Sequence, residues 1–406
     1  MSNIGVIIMS TLSSSDKKRL WEYVDGHRDY LLEVLDRLVR AKTVNPPGNE
    51  VEAVKVVMKE FDNLCIPYKT YEKEAGRTNI VGDFGKGSPS LMVIAHLDVV
   101  PEGEGWDYPP FEATVKDGKV YGRGTADDKG PLASALLALK ALKELNIGFT
   151  GTLSVAGVAD EERGSMFGVR YLLQEKLIKP DYVLVAEAMN GNIEIAEKGS
   201  AGGRLISKGK QAHGSMPEEG INAIVKLAKV LARIEELEFT YKPDPMLDKP
   251  TVNVGVIKGG VAGNVVPPSC EAQLDIRILP GQDHETVRRD LEAFIERVKM
   301  EEKDPEIYVA VEIPRSMQAT SMPPDSPLIK LISEASEEVT GVKPKLFGIG
   351  GISVAKNFIL SGIPAPVFSL GDDKLDHMAN EYIKVEELVN MAKIFAILPT
   401  KLGKLG

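Results

Sequence analysis

Three short apolar runs that end in potential metal ligands constrain this chain more than any other feature. Ser90–Val100 is strongly apolar and carries His96, Leu97 and Asp98 near its end. Gly151–Ala159 runs directly into Asp160-Glu161-Glu162, and Asp181–Ala186 stops at Glu187. Helical patterns over Gly130–Leu145 and Ser165–Leu177 separate them. Apolar strands alternating with helices predict an α/β fold with a mostly parallel sheet covered on both faces. Ligands bind such sheets at the C-terminal ends of the strands, where these polar residues stand.

The rest of the chain divides around that core. Lys17–Ala41 reads as one helix, with Leu20, Tyr23/Val24, Leu31, Val34/Leu35 and Leu38 at helical spacing, stopped by Asn45-Pro46-Pro47-Gly48. A helix over Val51–Asn63 follows. Near Gly199 the pattern changes. Glu271–Leu279 alternates Ala272, Leu274, Ile276 and Ile278 with polar residues, and Glu306–Ile313 alternates likewise, as strands with one wet face do. Helices over Glu219–Leu237 and Asp283–Val298 would cover the dry face. Residues 199–314 are therefore expected to form an inserted α+β domain between two parts of an α/β domain, 1–198 and 315–406. The second part holds a helix near Leu328–Val339, a strand Pro366–Leu370 and a helix near Val385–Leu398. A chain of 406 residues is long enough for two such domains.

Composition excludes some partners. The formal net charge is −10, from 49 Lys+Arg and 59 Asp+Glu, which argues against nucleic acid or anionic membrane as the main partner. The 2 cysteines, Cys65 and Cys270, make no C-x-x-C pair, and a reducing, cytoplasmic setting fits them. Ile4–Met9 is apolar but short and lacks preceding basic residues, so it reads as neither signal peptide nor membrane span. Translation starting at Met9 is compatible with this.

The chain has only 5 histidines, His27, His96, His213, His284 and His377. In Ala95-His96-Leu97-Asp98 a carboxylate follows an imidazole at strand spacing, an arrangement that can fix a metal-binding tautomer but also arises by chance. Tyr121-Gly122-Arg123-Gly124-Thr125-Ala126-Asp127-Asp128-Lys129-Gly130 turns tightly into a helix, where Asp127 or Asp128 could equally be an N-cap. Carboxylates at buried strand ends, Glu161, Glu162 and Glu187, are costly without a cation. Two imidazoles with several carboxylates suit Zn²⁺, with Mn²⁺ or Co²⁺ as alternatives.

In this ordered combination the chain resembles the aminoacylase/carboxypeptidase superfamily of zinc metallohydrolases, from about Asp29 to Leu398. That group includes acetylornithine deacetylase, succinyl-diaminopimelate desuccinylase and carnosinase-like dipeptidases. The resemblance implies a three-layer zinc-peptidase-like catalytic domain with an inserted lid and dimerisation domain. It implies two divalent ions per chain, one on His96, Asp127 and Glu187, the other on Asp127, Glu162 and His377. Asp98 would orient His96, and Glu161 would be the general base of amide hydrolysis. Gly209 to Pro217 matches a lid motif whose His213 would stabilise the oxyanion; by itself, His213 reads as a surface loop residue. Asn264, Arg277, Gly350 and Gly351 would contact substrate, although Arg277 could equally pair with Asp275. The implied substrate is a small carboxylate-bearing N-acyl amino acid or dipeptide, and the implied assembly a homodimer. Asp128, standing where deacylases usually carry Met, leans toward the dipeptidase branch, and Ile352-Ser353 stands after the glycines where deacylases often have Thr and Asp, which weakens assignment to one particular deacylase. The chain length suits the compact deacylases.

Overall fold

The computed structural model describes residues 12–404. Ile4–Met9 lies outside them. The described residues form two compact units: 12–195, 322–347 and 353–404 make one, 196–321 with 348–352 the other.

The first unit opens with two helices, where the sequence pattern suggests one. α1 (Ser14–Gly26) and α2 (Arg28–Arg40) meet at His27. Gly26 weakens the helix interior by about 1 kcal/mol. The His27 ring then bonds the Tyr23 carbonyl at 2.7 Å and stacks on the Tyr23 ring, which ends the first helix. α3 (Val51–Asn63) follows. The main sheet is built from β1 (Tyr68–Glu72), β2 (Thr78–Lys86), β3 (Ser90–His96), β6 (Gly151–Val158) and β7 (Tyr182–Val185), in the order β1-β2-β6-β3-β7. β6, β3 and β7 run parallel, as the sequence predicts for the strands that end in candidate ligands. The β1 edge is antiparallel, because β1 and β2 join through a short turn that admits only a hairpin.

Between β3 and β6, β4 (Thr114–Lys116) and β5 (Lys119–Tyr121) form a small hairpin, and α4 (Lys129–Glu144) makes the crossover. α4 is buried along almost its whole length, with α2 and α10 (Val385–Ile397) packed against it. On the opposite face, Met92, Ile94, Ala156, Val158, Val183 and Val185 pack against α5 (Val169–Gln174) and α9 (Ala355–Leu360). The result is three layers. α5 is shorter than its apolar pattern, because Ser165 takes a left-handed φ of 59° and Asp160 ties down the Phe167 N–H. The expected strand Pro366–Leu370 runs beside β7 but makes only isolated bridges through Val367. Pro364 and Pro366 lack the N–H groups a longer ladder needs.

β8 (Ile193–Glu197) leads into the second unit, whose main sheet is antiparallel. β10 (Gly203–Lys208), β11 (Thr251–Gly259), β12 (Ser269–Ile278) and β13 (Val309–Glu312) take the order β11-β12-β10-β13, with β9 (Gly199–Ser200) on β12. Ala272, Leu274, Ile276 and Ile278 face inward as their alternation requires. α6 (Ala223–Leu231) and α7 (His284–Glu301) cover them through Leu227, Val230, Leu291, Phe294 and Val298. β14 (Thr320–Ser321), α8 (Pro327–Thr340) and β15 (Leu346–Ile349) follow, and β16 (Tyr382–Lys384) pairs with β5. Among the described residues no helix is long and apolar enough to cross a membrane.

Candidate metal centre

Because β6, β3 and β7 are parallel, their C-terminal ends share one edge. His96 ends β3, Glu161 and Glu162 follow β6, and Glu187 follows β7. The α4 N-terminus brings Asp127 and Asp128 to the same place. His96 is 2% exposed, and its Nε2 lies 2.8 Å from Asp127 Oδ1. Its Nδ1–H donates to the Asp98 carbonyl at 2.9 Å, which fixes the tautomer and turns Nε2 toward Asp127. The Asp98 carboxylate, assigned that task from sequence, stands 3.7 Å from Nδ1. It instead accepts bonds from Asn45 (2.8 Å) and the N–H groups of Glu161 (3.0 Å) and Glu162 (3.2 Å). β3 ends at His96, so strand alternation no longer aims Asp98.

His377 arrives from the other end of the chain. Its Nε2 lies 3.1 Å from Glu162 Oε2 and 3.4 Å from Asp127 Oδ2. One ligand atom each from His96, Asp127 and Glu162 lie within 4.8 Å of one another. Oε1 of Glu162, Oε1 of Glu187 and Oδ1 of Asp128 are buried without a hydrogen-bond partner. A cation would offset that cost, and the donor set of imidazole nitrogens and carboxylate oxygens is the kind that holds Zn²⁺.

The electrostatics follow from crowding. Burial opposes ionisation of Asp127, yet His96 and His377 hold its carboxyl well below the usual range. Burial, reinforced by Glu162, Asp98 and Asp127 against the pull of His96, pushes Glu161 up to about 8. Burial, with Glu161 next in effect, likewise raises Glu187. Bonds to Asp127 and Glu162 lift His377 to about 10.

Behind the cluster stands a network that sequence reading missed. Arg77 Nε and Nη2 each donate to Glu50 at 2.7 Å, and Nη2 reaches Asp160 at 3.0 Å. Asn45 spans Asp160 (3.1 Å) and Asp98 (2.8 Å). Gly48, with φ of 80°, lets the chain pass the guanidinium, since a Cβ there would lie 2.4 Å from Arg77 Cζ. The residues in between give no local pattern that could have marked Glu50 or Arg77.

The remaining expected site residues lie in the second unit. His213 Nδ1 accepts the Ser215 N–H at 3.2 Å, which places the ring proton on Nε2. The bridge His213–Val265 and the bond from the Gly214 N–H to the Asn264 carbonyl (2.8 Å) bring Asn264 beside the His213 loop. Arg277 donates to Asp275 at 3.1 Å and to the Gly350 carbonyl at 3.4 Å. It thus meets Gly350 and makes the Asp275 pair that sequence reading left open. Gly350 and Gly351 are both exposed.

Comparison with known proteins agrees with this geometry. The profile of peptidase family M20/M25/M40 matches residues 92–401. Over 375 residues the chain is 30% identical to succinyl-diaminopimelate desuccinylase of Nautilia profundicola, an alignment covering 90% of this chain and 97% of that one. It is 31% identical over 322 residues to acetylornithine deacetylase of Myxococcus xanthus, covering 78% and 81%. Aminopeptidase PepT from Bacillus cereus has the same fold, with a TM-score of 0.75 at 24% identity over 93% of this chain and 99% of that one. The matched span holds every ligand candidate from His96 to His377, and the chain belongs to peptidase family M20/M25/M40, as a metallohydrolase of amide bonds.

Proposed function

We propose that this protein hydrolyses the amide bond of an N-acyl amino acid in a reaction that needs two divalent ions, zinc or in its place cobalt or manganese. The observation that carries this reading is the convergence of His96, Asp127 and Glu162 within 4.8 Å, with His377 and the half-buried Glu161 alongside. His96, Asp127 and Glu187 would hold one ion; Asp127, Glu162 and His377 the other. When bound, such ions supply Lewis-acid polarisation of the carbonyl and an acidified water. Glu161 takes a proton from the attacking water and delivers it to the leaving nitrogen as the C–N bond breaks. His213, protonated on Nε2, is suited to donate to the developing oxyanion. The desuccinylase and deacetylase relatives support an acyl amino acid as substrate.

A second reading, hydrolysis of a dipeptide, is favoured by Asp128 in the motif before α4. Purified protein reconstituted with Zn²⁺, Co²⁺ or Mn²⁺ should contain two ions per chain and lose activity on chelation. Assay on acetylornithine, succinyl-diaminopimelate and a dipeptide set separates the two readings, and full activity without metal would overturn both. Homodimer formation through residues 199–314 rests on the family resemblance, and sedimentation velocity checks it. A cytoplasmic setting fits the free thiols of Cys65 and Cys270, and cell fractionation tests it.

Arg277 is the proposed carboxylate anchor. Its side chain is about one-third exposed, and two parallel bonds from its guanidinium to a carboxylate are within its chemistry. Arg277→Lys is expected to lower kcat/KM for free-acid substrates roughly 10- to 100-fold, the value of a charged hydrogen bond. Amidating the substrate carboxylate should then harm the wild type far more than the variant. Equal losses would show that Arg277 does not read the carboxylate.

A further inference from the structure

One buried ion pair takes no part in the chemistry proposed above. Arg123 is 1% and Glu381 0% exposed, and Arg123 Nη1 donates to Glu381 Oε2 at 2.7 Å. Such a pair gives up several kcal/mol of hydration per ion, so attraction between the partners alone is a weak reason to keep it. The other bonds that each partner makes are more telling. Glu381 Oε2 accepts the Gly124 N–H at 3.0 Å, and Oε1 accepts those of Ala126 (2.9 Å) and Asp127 (3.2 Å). Arg123 donates in the opposite direction. Nη1 reaches the Met378 carbonyl and Nη2 the His377 carbonyl, each at 3.1 Å, with longer contacts to Glu102 and Pro101.

The arrangement is reciprocal. The acid from the His377 segment holds the backbone that carries Asp127, and the arginine from the Asp127 segment holds the backbone that carries His377. That backbone needs holding. His377 has φ of 64° and Asn380 φ of 60°, left-handed values disfavoured for side-chain-bearing residues unless the surroundings fix them. The pairing of β16 with β5 and the bond from the Gly122 N–H to the Glu381 carbonyl (3.0 Å) reinforce the junction. His96 is held differently, at the end of β3, by the Asp98 carbonyl and by Asp128, which accepts the His96 N–H at 3.0 Å. Glu187 follows β7.

We propose that Arg123 and Glu381 are positioning residues that set the separation of Asp127 and His377. The ion held by Asp127, Glu162 and His377 then depends on this pair far more than the ion held by His96, Asp127 and Glu187. This rests on the two-ion reading. Neither residue is open to a substrate, with Arg123 1% and Glu381 0% exposed. Their contribution is to keep an exposed histidine on an irregular segment in register with a buried aspartate.

The test is titration of the full-length chain, stripped by chelator, with Co²⁺. Calorimetry counts the ions, and visible absorption reports the geometry of each. Wild type should take up two. In Glu381→Gln, which keeps the shape and removes the charge, one ion should bind with near wild-type affinity. The other should weaken roughly 10- to 100-fold, the usual effect of losing an outer-shell partner. Arg123→Lys should fall between wild type and Arg123→Met. If Arg123→Met does not fold, as judged by thermal unfolding of the stripped protein, Glu381→Gln decides. Two ions bound as in wild type, or both weakened alike, would overturn the proposal and leave the two-ion reading standing. A wild type that takes up a single ion would overturn the two-ion reading itself, and the positioning role with it.

Discussion

Glu161→Ala is expected to lower kcat by roughly two to four orders of magnitude, the range for losing a general base, while the protein stays folded and loaded with metal. Its N–H remains anchored on Asp98 at 3.0 Å whatever the side chain, so the turn after β6 should survive. Burial raises this carboxyl to about 8, and bound cations would draw it back down, bringing a base near neutrality. Glu161 must be ionised to accept a proton. Wild-type activity should therefore be lost as pH falls through its pKa, and that acid limb should be missing from the residual activity of the variant. Glu162→Ala should differ in kind, losing metal content first. Stopped assays paired with elemental analysis separate the two, and near wild-type turnover by Glu161→Ala would refute its assignment.

The second large effect is on stability. Arg77→Ala removes the guanidinium that bonds Glu50 and Asp160, which are 0% and 2% exposed. Breaking a buried pair from one side costs about 3–5 kcal/mol, because the stranded carboxylates keep their desolvation penalty. The double change Arg77→Met with Glu50→Gln should cost less than Arg77→Ala alone, since fewer charges are left unmatched. Urea unfolding of all three proteins, each stripped of metal, makes the comparison. A loss below about 1 kcal/mol in Arg77→Ala, the size of an exposed pair, would show that water reaches this network.

The positions that sequence reading located and those it missed differ in how locally they are encoded. β3, β6, β7 and α4 were visible because burial of a whole strand or helix leaves a run of apolar residues. The candidate ligands stand out because they interrupt those runs. The break at His27 was not, since it depends on a ring reaching back to the Tyr23 carbonyl within an otherwise continuous helical pattern. Pro366–Leu370 looked like a strand because its apolar content is right, but two prolines near it remove ladder donors. Arg77 and Glu50 could not be found from spacing, because their meaning comes from a meeting 27 positions apart in the chain. Arg123 lies inside a quoted motif, yet its work is done on carbonyls that only the folded chain delivers. Asp98 stands beside His96, but its carbonyl rather than its carboxylate takes the imidazole N–H, and the carboxylate holds Asn45 and the turn after β6.

The left-handed turn at His377 has a consequence for how the protein is made. Arg123 and the His377 carbonyl that it binds are 254 positions apart. At about 5–20 residues per second, a ribosome needs roughly 13–50 s to add the second after the first. Once Glu187 has been added, and for the rest of that interval, the growing chain contains Arg123, Asp127, Glu162 and Glu187, but neither the imidazole nor the Glu381 carboxylate that would complete their surroundings. Asp127 gains its last partners only once residues 377 and 381 have been added. A polypeptide released short of residue 377 could form the main sheet, yet it would have an unpaired arginine and an open-sided cluster of acids where the finished enzyme has a centre.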